Sequence, residues 1–434
     1  MASSEINISS YVRLVRGNAN FRRLWLAQIV SENGDWFYTL AIYSLLLDLT
    51  GKASSVALAL VLQVLPLTFL GPLAGMVNDR ISRRKVMIAS DLLRMVIVAC
   101  MLLVRSTQTV WVVYPLLFLE TVMVAFFEPA RSPVIPSITE EGDVIVANTL
   151  SSATWSFDLA IGSVLGGVVA AWLGRDTVFV LNALSFVVSA LLISRMRFVE
   201  SHADQANRHP DDRMAGWPSI RAGFKYIAHD RKLAALVSLK GGVSILGTSW
   251  VLFPVMGERV FPAPFAGISH ARAALFGMSL LMGARGIGAL LGPFLASHWT
   301  GQREGSLRMG VLLGFIHGAI GYLLLGGCRS VWIAVAVIVV AHAGSSTVWV
   351  FSTTLLHLNT EDRFLGRIFG AELAISMFVL AAAAWIAGQA IDAGMSPRAV
   401  AAATGAAMFL PIVAWAFALR LWRSGSNSES QLIP

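Results

Sequence analysis

The stretch Gly75-Met76-Val77-Asn78-Asp79-Arg80-Ile81-Ser82-Arg83-Arg84-Lys85 decides how the rest of this chain reads. One apolar run ends in it, five charges fall within the seven residues from Asp79 to Lys85, and a second apolar run begins at Val86. Crossing a hydrocarbon core takes about 20 mostly apolar residues, and a charged turn between two such runs cannot itself lie in hydrocarbon. It reads as a tight hairpin at the membrane surface. Outward from it, twelve runs of this kind recur, near 23–48, 53–77, 85–105, 109–130, 148–173, 176–194, 233–257, 274–298, 308–326, 331–357, 366–391 and 399–422. The one long polar connection runs from Arg195 to Lys232. Ser201 to Pro218 reads as a linker, and Ile220 to Lys232 as an amphipathic helix lying on the membrane.

Composition supports a membrane protein. The chain is 56% hydrophobic and 13% charged, with a mean hydropathy of +0.69, whereas a soluble domain carries about 25% charged residues. The net charge of +8 does not point to nucleic acid, because the basic residues are scattered over short loops. With both termini in the cytoplasm, 23 of the 33 Lys and Arg fall inside and seven outside, and Arg94, Lys240 and Arg285 fall within spans. That asymmetry predicts the orientation. Trp25, Trp111, Trp172, Trp299, Trp332 and Trp422 lie near span ends, where interfacial anchors belong. Cys100 and Cys328 give no disulfide framework. Phe21 to Leu49 is too long for a signal segment and is kept as the first span.

The two halves repeat weakly. Gly71-Pro72-Leu73-Ala74 ends the second span, and Gly292-Pro293-Phe294-Leu295-Ala296 ends the eighth. The expectation is an all-α integral membrane protein with twelve transmembrane helices in two pseudo-symmetric bundles. Its expected divisions are 1–194, a cytoplasmic linker at 195–232, and 233–434.

Ionisable groups inside a membrane cost about 2.5–3.5 kcal/mol each on insertion scales and are functional candidates by default. Asp35, Glu120 and Asp158 lie about 15 Å into their spans, at about 1.5 Å per residue. Glu32 and Lys240 are slightly shallower. Asp91, Arg94 and Glu372 sit nearer the cytoplasmic ends and are expected to reach water or headgroups. Gln28, Glu32, Asp35 and Thr39 follow i, i+4, i+7, i+11 and form one polar stripe, read as cavity lining rather than interhelical packing. Lys240, Ser244 and Thr248, with His342, Ser346, Trp349 and Thr353, put polar groups on the seventh and tenth spans. Asp91 and Arg94 are taken as an i, i+3 pair. That leaves a surplus of three acids, which suits bound protons or a cationic solute. Glu32, Asp35, Glu120 and Asp158 are the candidate proton carriers, with Asp35 the first choice. For Arg285, a static ion pair against a glycine-rich helix face is preferred. His317 and His342 are possible relays or plain hydrogen-bonding groups.

No phosphate-binding Gly-x-x-x-x-Gly-Lys-Ser/Thr, His-Glu-x-x-His, paired-Cys or Gly-x-Ser-x-Gly motif occurs, so neither an enzyme nor an ATP-driven pump is expected. No cofactor or metal is called for.

The opening hairpin resembles the loop between helices two and three of the major facilitator superfamily, with Ser82 where that family usually has Gly. Phe127-Glu128-Pro129-Ala130-Arg131, Pro136 and Ala147-Asn148-Thr149-Leu150 resemble the bacterial branch of enterobactin exporters and macrolide-efflux proteins. So do Asn20 to Trp25 with Gly34-Asp35, and Glu361-Asp362-Arg363 with Gly366-Arg367. The resemblance implies secondary transport by alternating access, with helices 1, 4, 7 and 10 lining a cavity. It implies export of a small amphipathic drug or siderophore, driven by the proton gradient, from a monomer in the bacterial inner membrane. It makes Gly75, Asp79, Arg80, Arg83 and Arg84, with Asp91 and Arg94 beyond them, a conformational latch at the cytoplasmic face. Ile161-Gly162-Ser163-Val164-Leu165-Gly166-Gly167 resembles the helix-five motif of drug antiporters, with Ser163 where Pro is usual. A lipid or lysolipid transporter of the same fold is the nearest alternative, and a non-transporting membrane sensor a further one.

Overall fold

The computed structural model describes residues 8–198, 200, 227, 230–262, 269–301 and 303–429, and no strand occurs among them. The linker from Ser201 to Pro218 and most of the expected surface helix from Ile220 to Lys232 lie outside the described residues. Among the described residues, eleven helices are long and apolar enough to cross a membrane: α2 (Ala53–Gly71, continuing to Arg80), α3 (Arg83–Leu103), α4 (Val110–Arg131), α5 (Val144–Leu173), α6 (Arg175–Ser194), α7 (Arg231–Arg259), α8 (His270–Thr300), α9 (Glu304–Gly327), α10 (Val331–Leu358), α11 (Asp362–Asp392) and α12 (Pro397–Arg420). Before them comes α1 (Ala19–Thr50), a helix of 32 residues. Its acids and amides alone keep it out of the apolar set. With α1, the twelve expected spans are present.

Helix ends follow local chemistry. Asn18 caps α1 by accepting from the Phe21 amide, and the helix stops at Gly51 in the left-handed region (φ 66°), whose N–H bonds Leu47. Asp230 caps α7, Ser330 α10, and Ser396 α12, where Pro397 opens the helix. The decisive hairpin is short because only Ile81 and Ser82 separate its two helices, and Ser82 caps the second, its Oγ accepting from the Lys85 amide at 3.3 Å. Its φ of −51° requires no glycine, so Ser stands where the superfamily usually has Gly and supplies a cap in exchange.

The helices group into two compact units, Met1–Gly51, Leu62–Asp212 and Gly267–Ser279 in one, and Lys52–Val61, Arg213–Ala266 and Leu280–Pro434 in the other. The opening residues of α2 group with the second unit, and those of α8 with the first. In the first unit α1 packs on α5 and α6, and α3 on α4 and α6. In the second α9 packs on α10 and α12, and α7 on α10 and α11.

Glycines place helices close together. A Cβ at Gly166 would lie 2.6 Å from Phe37 Cα, and one at Gly162 2.9 Å from Trp36 Cβ, so the α5 glycines seat the α1 backbone. The matched Gly71 and Gly292 are not equivalent in surroundings. Gly292 lies against the Ala343 backbone, whereas Gly71 has open space around it. Trp111, Trp172, Trp299 and Trp332 are exposed at span ends, as anchors should be. Trp25 is not an anchor of that kind: its Nε1 donates to Thr154 Oγ1 at 2.8 Å, inside the unit.

Candidate functional site

The polar stripe of α1 supplies two clusters in the first unit. The deeper one is built around Arg94 of α3. Its Nε and Nη2 both donate to Glu120 Oε1 (3.0 and 2.8 Å), and Nη2 also donates to Asp35 Oδ2 at 2.7 Å. The guanidinium carbon lies 4.1 Å from the centroid of the Phe186 ring. Arg94 is 4% exposed, so it does not snorkel. Helix α3 begins at Arg83, which puts Arg94 about 16 Å into the helix at about 1.5 Å per residue, near mid-membrane. The expected i, i+3 pair with Asp91 is also replaced. Arg94 reaches across to the two acids, and Asp91, fully buried, accepts from Ser189 Oγ at 2.6 Å.

The second cluster lies one turn toward the start of α1. Gln28 Nε2 donates to Glu32 Oε1 at 2.9 Å and to the Ser151 carbonyl at 3.0 Å. Asn33 Nδ2 donates to Asp158 Oδ1 at 2.6 Å, and the Asp158 carboxylate lies near enough to that of Glu32 for the two to repel. Glu32 Oε2 and Asp158 Oδ2 are buried and receive no donor. Two acids on different helices are thus neighbours, each with an amide on one oxygen. Glu32 also faces a pocket of about 350 Å³, lined by Gln28, Arg131, Asn148, Ser151 and Trp155 among others. A smaller cavity of about 40 Å³ opens between Glu32, Arg131, Asp35 and Arg94. It is large enough for water, and it joins the surroundings of both clusters. Arg131 bonds Glu128 through Nη2 at 2.9 Å and is attracted to Glu32.

In the second unit, Lys240 Nζ of α7 donates to Glu372 Oε2 of α11 at 2.8 Å, and lies 4.9 Å from the centroid of Trp349. Glu372, expected to reach headgroups, is 1% exposed and buried in this pair. Its helix begins at Asp362, so Glu372 is about 15 Å inside by the same rise. Arg285 stacks its guanidinium 3.8 Å from the centroid of Trp250. His342 is buried; Tyr322 Oη bonds its Nε2 at 3.1 Å, and Ser345 Oγ lies 3.3 Å from its Nδ1. His317 is exposed, with Nδ1 2.7 Å from the Leu313 carbonyl.

Acids and bases therefore divide unevenly. Away from the ends of the spans, the first unit holds Glu32, Asp35, Asp91, Glu120 and Asp158 against Arg94, and the second holds Glu372 against Lys240 and Arg285. The expected surplus of three acids stands overall, but it is concentrated in the first unit.

At the hairpin, the Asp79 side chain lies outside the described residues, and Arg80 is exposed. A Cβ at Gly75 would meet nothing within 4 Å. The contacts present tie the hairpin to the end of the first unit. Glu200 accepts from the Arg83 and Arg84 amides (2.7 and 3.2 Å) and from Ser82 Oγ at 3.0 Å, and Arg84 Nη2 donates to the Ser194 carbonyl. A carboxylate is well placed there, over the open amides of a helix N-terminus. Sequence reasoning passed over Glu200, Asn33, Ser151 and Trp155. It quoted Glu128 and Arg131 only as part of a motif, although their i, i+3 spacing at a span end already marked a charge pair.

Comparison with known proteins agrees with this architecture. Residues 11–433 match the family of transmembrane secretion effectors. Relatives include the uncharacterized MFS-type transporter YfiS of Bacillus subtilis (strain 168), 24% identical over 82% of this chain and 83% of its own. BacE of the same strain, named as a bacilysin exporter, is 23% identical over 74% of this chain and 76% of its own. Macrolide efflux protein A of Streptococcus pyogenes is 25% identical over 41% of this chain and 44% of its own. Among solved structures the nucleoside transporter NupG superposes with a TM-score of 0.74 at 11% identity, covering 92% of this chain and 99% of that one, which is a likeness of fold alone. Transporters of this kind are not enzymes, and the chain is a multi-pass membrane protein belonging to the transmembrane secretion effector family of the major facilitator superfamily.

Proposed function

We propose that the chain exports a small amphipathic solute across the bacterial inner membrane by proton antiport with alternating access, both termini lying in the cytoplasm. The observation that carries this is the placing of the neighbouring acids Glu32 and Asp158 within the first unit, with Glu32 on an open polar pocket. Neighbouring carboxylates repel, which makes the pair a place where a proton can be taken up and given back. Glu32 also faces the pocket, so a solute bearing positive charge there competes with the proton for the same carboxylate. Binding of one favours release of the other, which is the requirement for exchange. Asp35 and Glu120 are less suited to the task, because Arg94 already compensates both. The efflux functions named for BacE and macrolide efflux protein A support the outward direction.

The reading is tested in everted vesicles with an imposed proton gradient and a panel of fluorescent cations and catecholates. Gradient-driven accumulation of at least one member is expected, falling at least tenfold in Glu32→Gln. Full coupling in that variant would remove Glu32 as the proton site. Absence of gradient-dependent flux for every solute would remove antiport itself.

A further inference from the structure

The pocket beside Glu32 has a second charged wall that proton exchange does not use. Arg131, the last residue of the Phe-Glu-Pro-Ala-Arg stretch, lines both this pocket and the smaller cavity. Its side chain is 14% exposed, one nitrogen is engaged by Glu128, and its Nε is buried without a hydrogen-bond partner. Glu32 lines the same pocket, and its Oε2 is also buried without a hydrogen-bond partner. Two side chains of opposite charge therefore line the pocket, each with one polar atom left without a hydrogen-bond partner. The wall beyond them carries Trp155, which is 46% exposed, with Ser151, Ser152 and Asn148.

We propose that this pocket in the first unit binds an amphipathic zwitterion, its ammonium on Glu32, its carboxylate on Arg131 and its apolar body against Trp155. A bound ammonium supplies the donor that Glu32 lacks. A bound carboxylate takes a charge-assisted bond from the guanidinium, whose planar fork serves Glu128 and a second carboxylate together. A plain cation would satisfy Glu32 but place its charge beside Arg131, and a plain anion would do the reverse. Only a solute with both charges meets both walls. A volume of about 350 Å³ is within the usual range for small-ligand sites, about 300–1,000 Å³. The proposal rests on the exporter reading only in taking the pocket as a place for solute.

The probe is Nε-dansyl-lysine, which carries a free α-amine, a free carboxylate and an environment-sensitive aryl group. Its methyl ester is a cation and its Nα-acetyl derivative an anion. Each is titrated by dansyl fluorescence against the full chain in lipid nanodiscs. The zwitterion is expected to bind at least tenfold tighter than either derivative. Arg131→Gln is expected to equalise the zwitterion and the ester, Arg131→Lys to keep part of the preference, and Glu32→Gln to equalise the zwitterion and the acetyl form. Tighter binding of the ester than of the free acid would overturn the carboxylate half, and so the proposal, while leaving proton exchange at Glu32 standing. Equal binding of all three, or none, would overturn it as well, and gradient-driven flux of other solutes would show that the exporter reading survives. Loss of proton coupling with the zwitterion preference intact would separate the two in the opposite sense.

Discussion

Arg94 shows how one residue organises the interior of the first unit. Its guanidinium satisfies two acids from two other helices, over an aromatic ring. Removing one member of a buried ion cluster leaves uncompensated charge and costs about 3–5 kcal/mol. Arg94→Gln is therefore expected to lower the melting temperature in detergent sharply. Combining it with Asp35→Asn and Glu120→Gln is expected to restore most of the loss, because no net charge is then stranded. If the triple variant melts no higher than Arg94→Gln alone, the damage comes from lost packing against Phe186. The identities of these residues were legible in sequence, since any charge in an apolar run stands out. Their partners were not. Asp91 is the nearer acid along the chain, yet the long Arg94 side chain extends to α1 and α4, and Asp91 turns to Ser189.

At the scale of elements, what holds α1 is the close approach of α5. Gly162 and Gly166 leave no room for a side chain against Trp36 and Phe37. A Gly166→Val change is expected to reduce correctly assembled protein in the membrane severalfold, measured by fluorescence-detected size exclusion. Gly75→Ala, where a Cβ meets nothing within 4 Å, is expected to assemble at the parental level. Equal yields of both would mean that α1 and α5 do not depend on that contact. Helix existence and the hairpin near Ser82 were readable from hydropathy and the charge cluster, because both are local; the Ser82 cap was not read. Helix starts were read a few residues off, which was enough to move Arg94 and Glu372 from the headgroups to the interior. Likewise the shared Gly-Pro of Gly71 and Gly292 hid two different environments, since a glycine's purpose lies in its neighbour and not in its own residue.

For the whole molecule, the distribution of Lys and Arg predicts cytoplasmic termini. In a background lacking Cys100 and Cys328, Gln108→Cys is expected to react with a membrane-impermeant maleimide in intact cells, and Arg303→Cys only in everted vesicles. Both positions are exposed at span ends, so the reverse pattern would invert the orientation. Twelve spans, the membrane setting and the absence of an enzyme's motifs came from composition and period, because hydrocarbon imposes its demands on every residue it touches. Tertiary structure alone brought Glu32 to Asp158 and opened the pocket between Glu32, Arg131 and Trp155. It also gave Lys240 to Glu372. These are pairings between helices far apart in the chain, and a one-dimensional pattern states how each helix meets lipid without stating which neighbour its polar face will find.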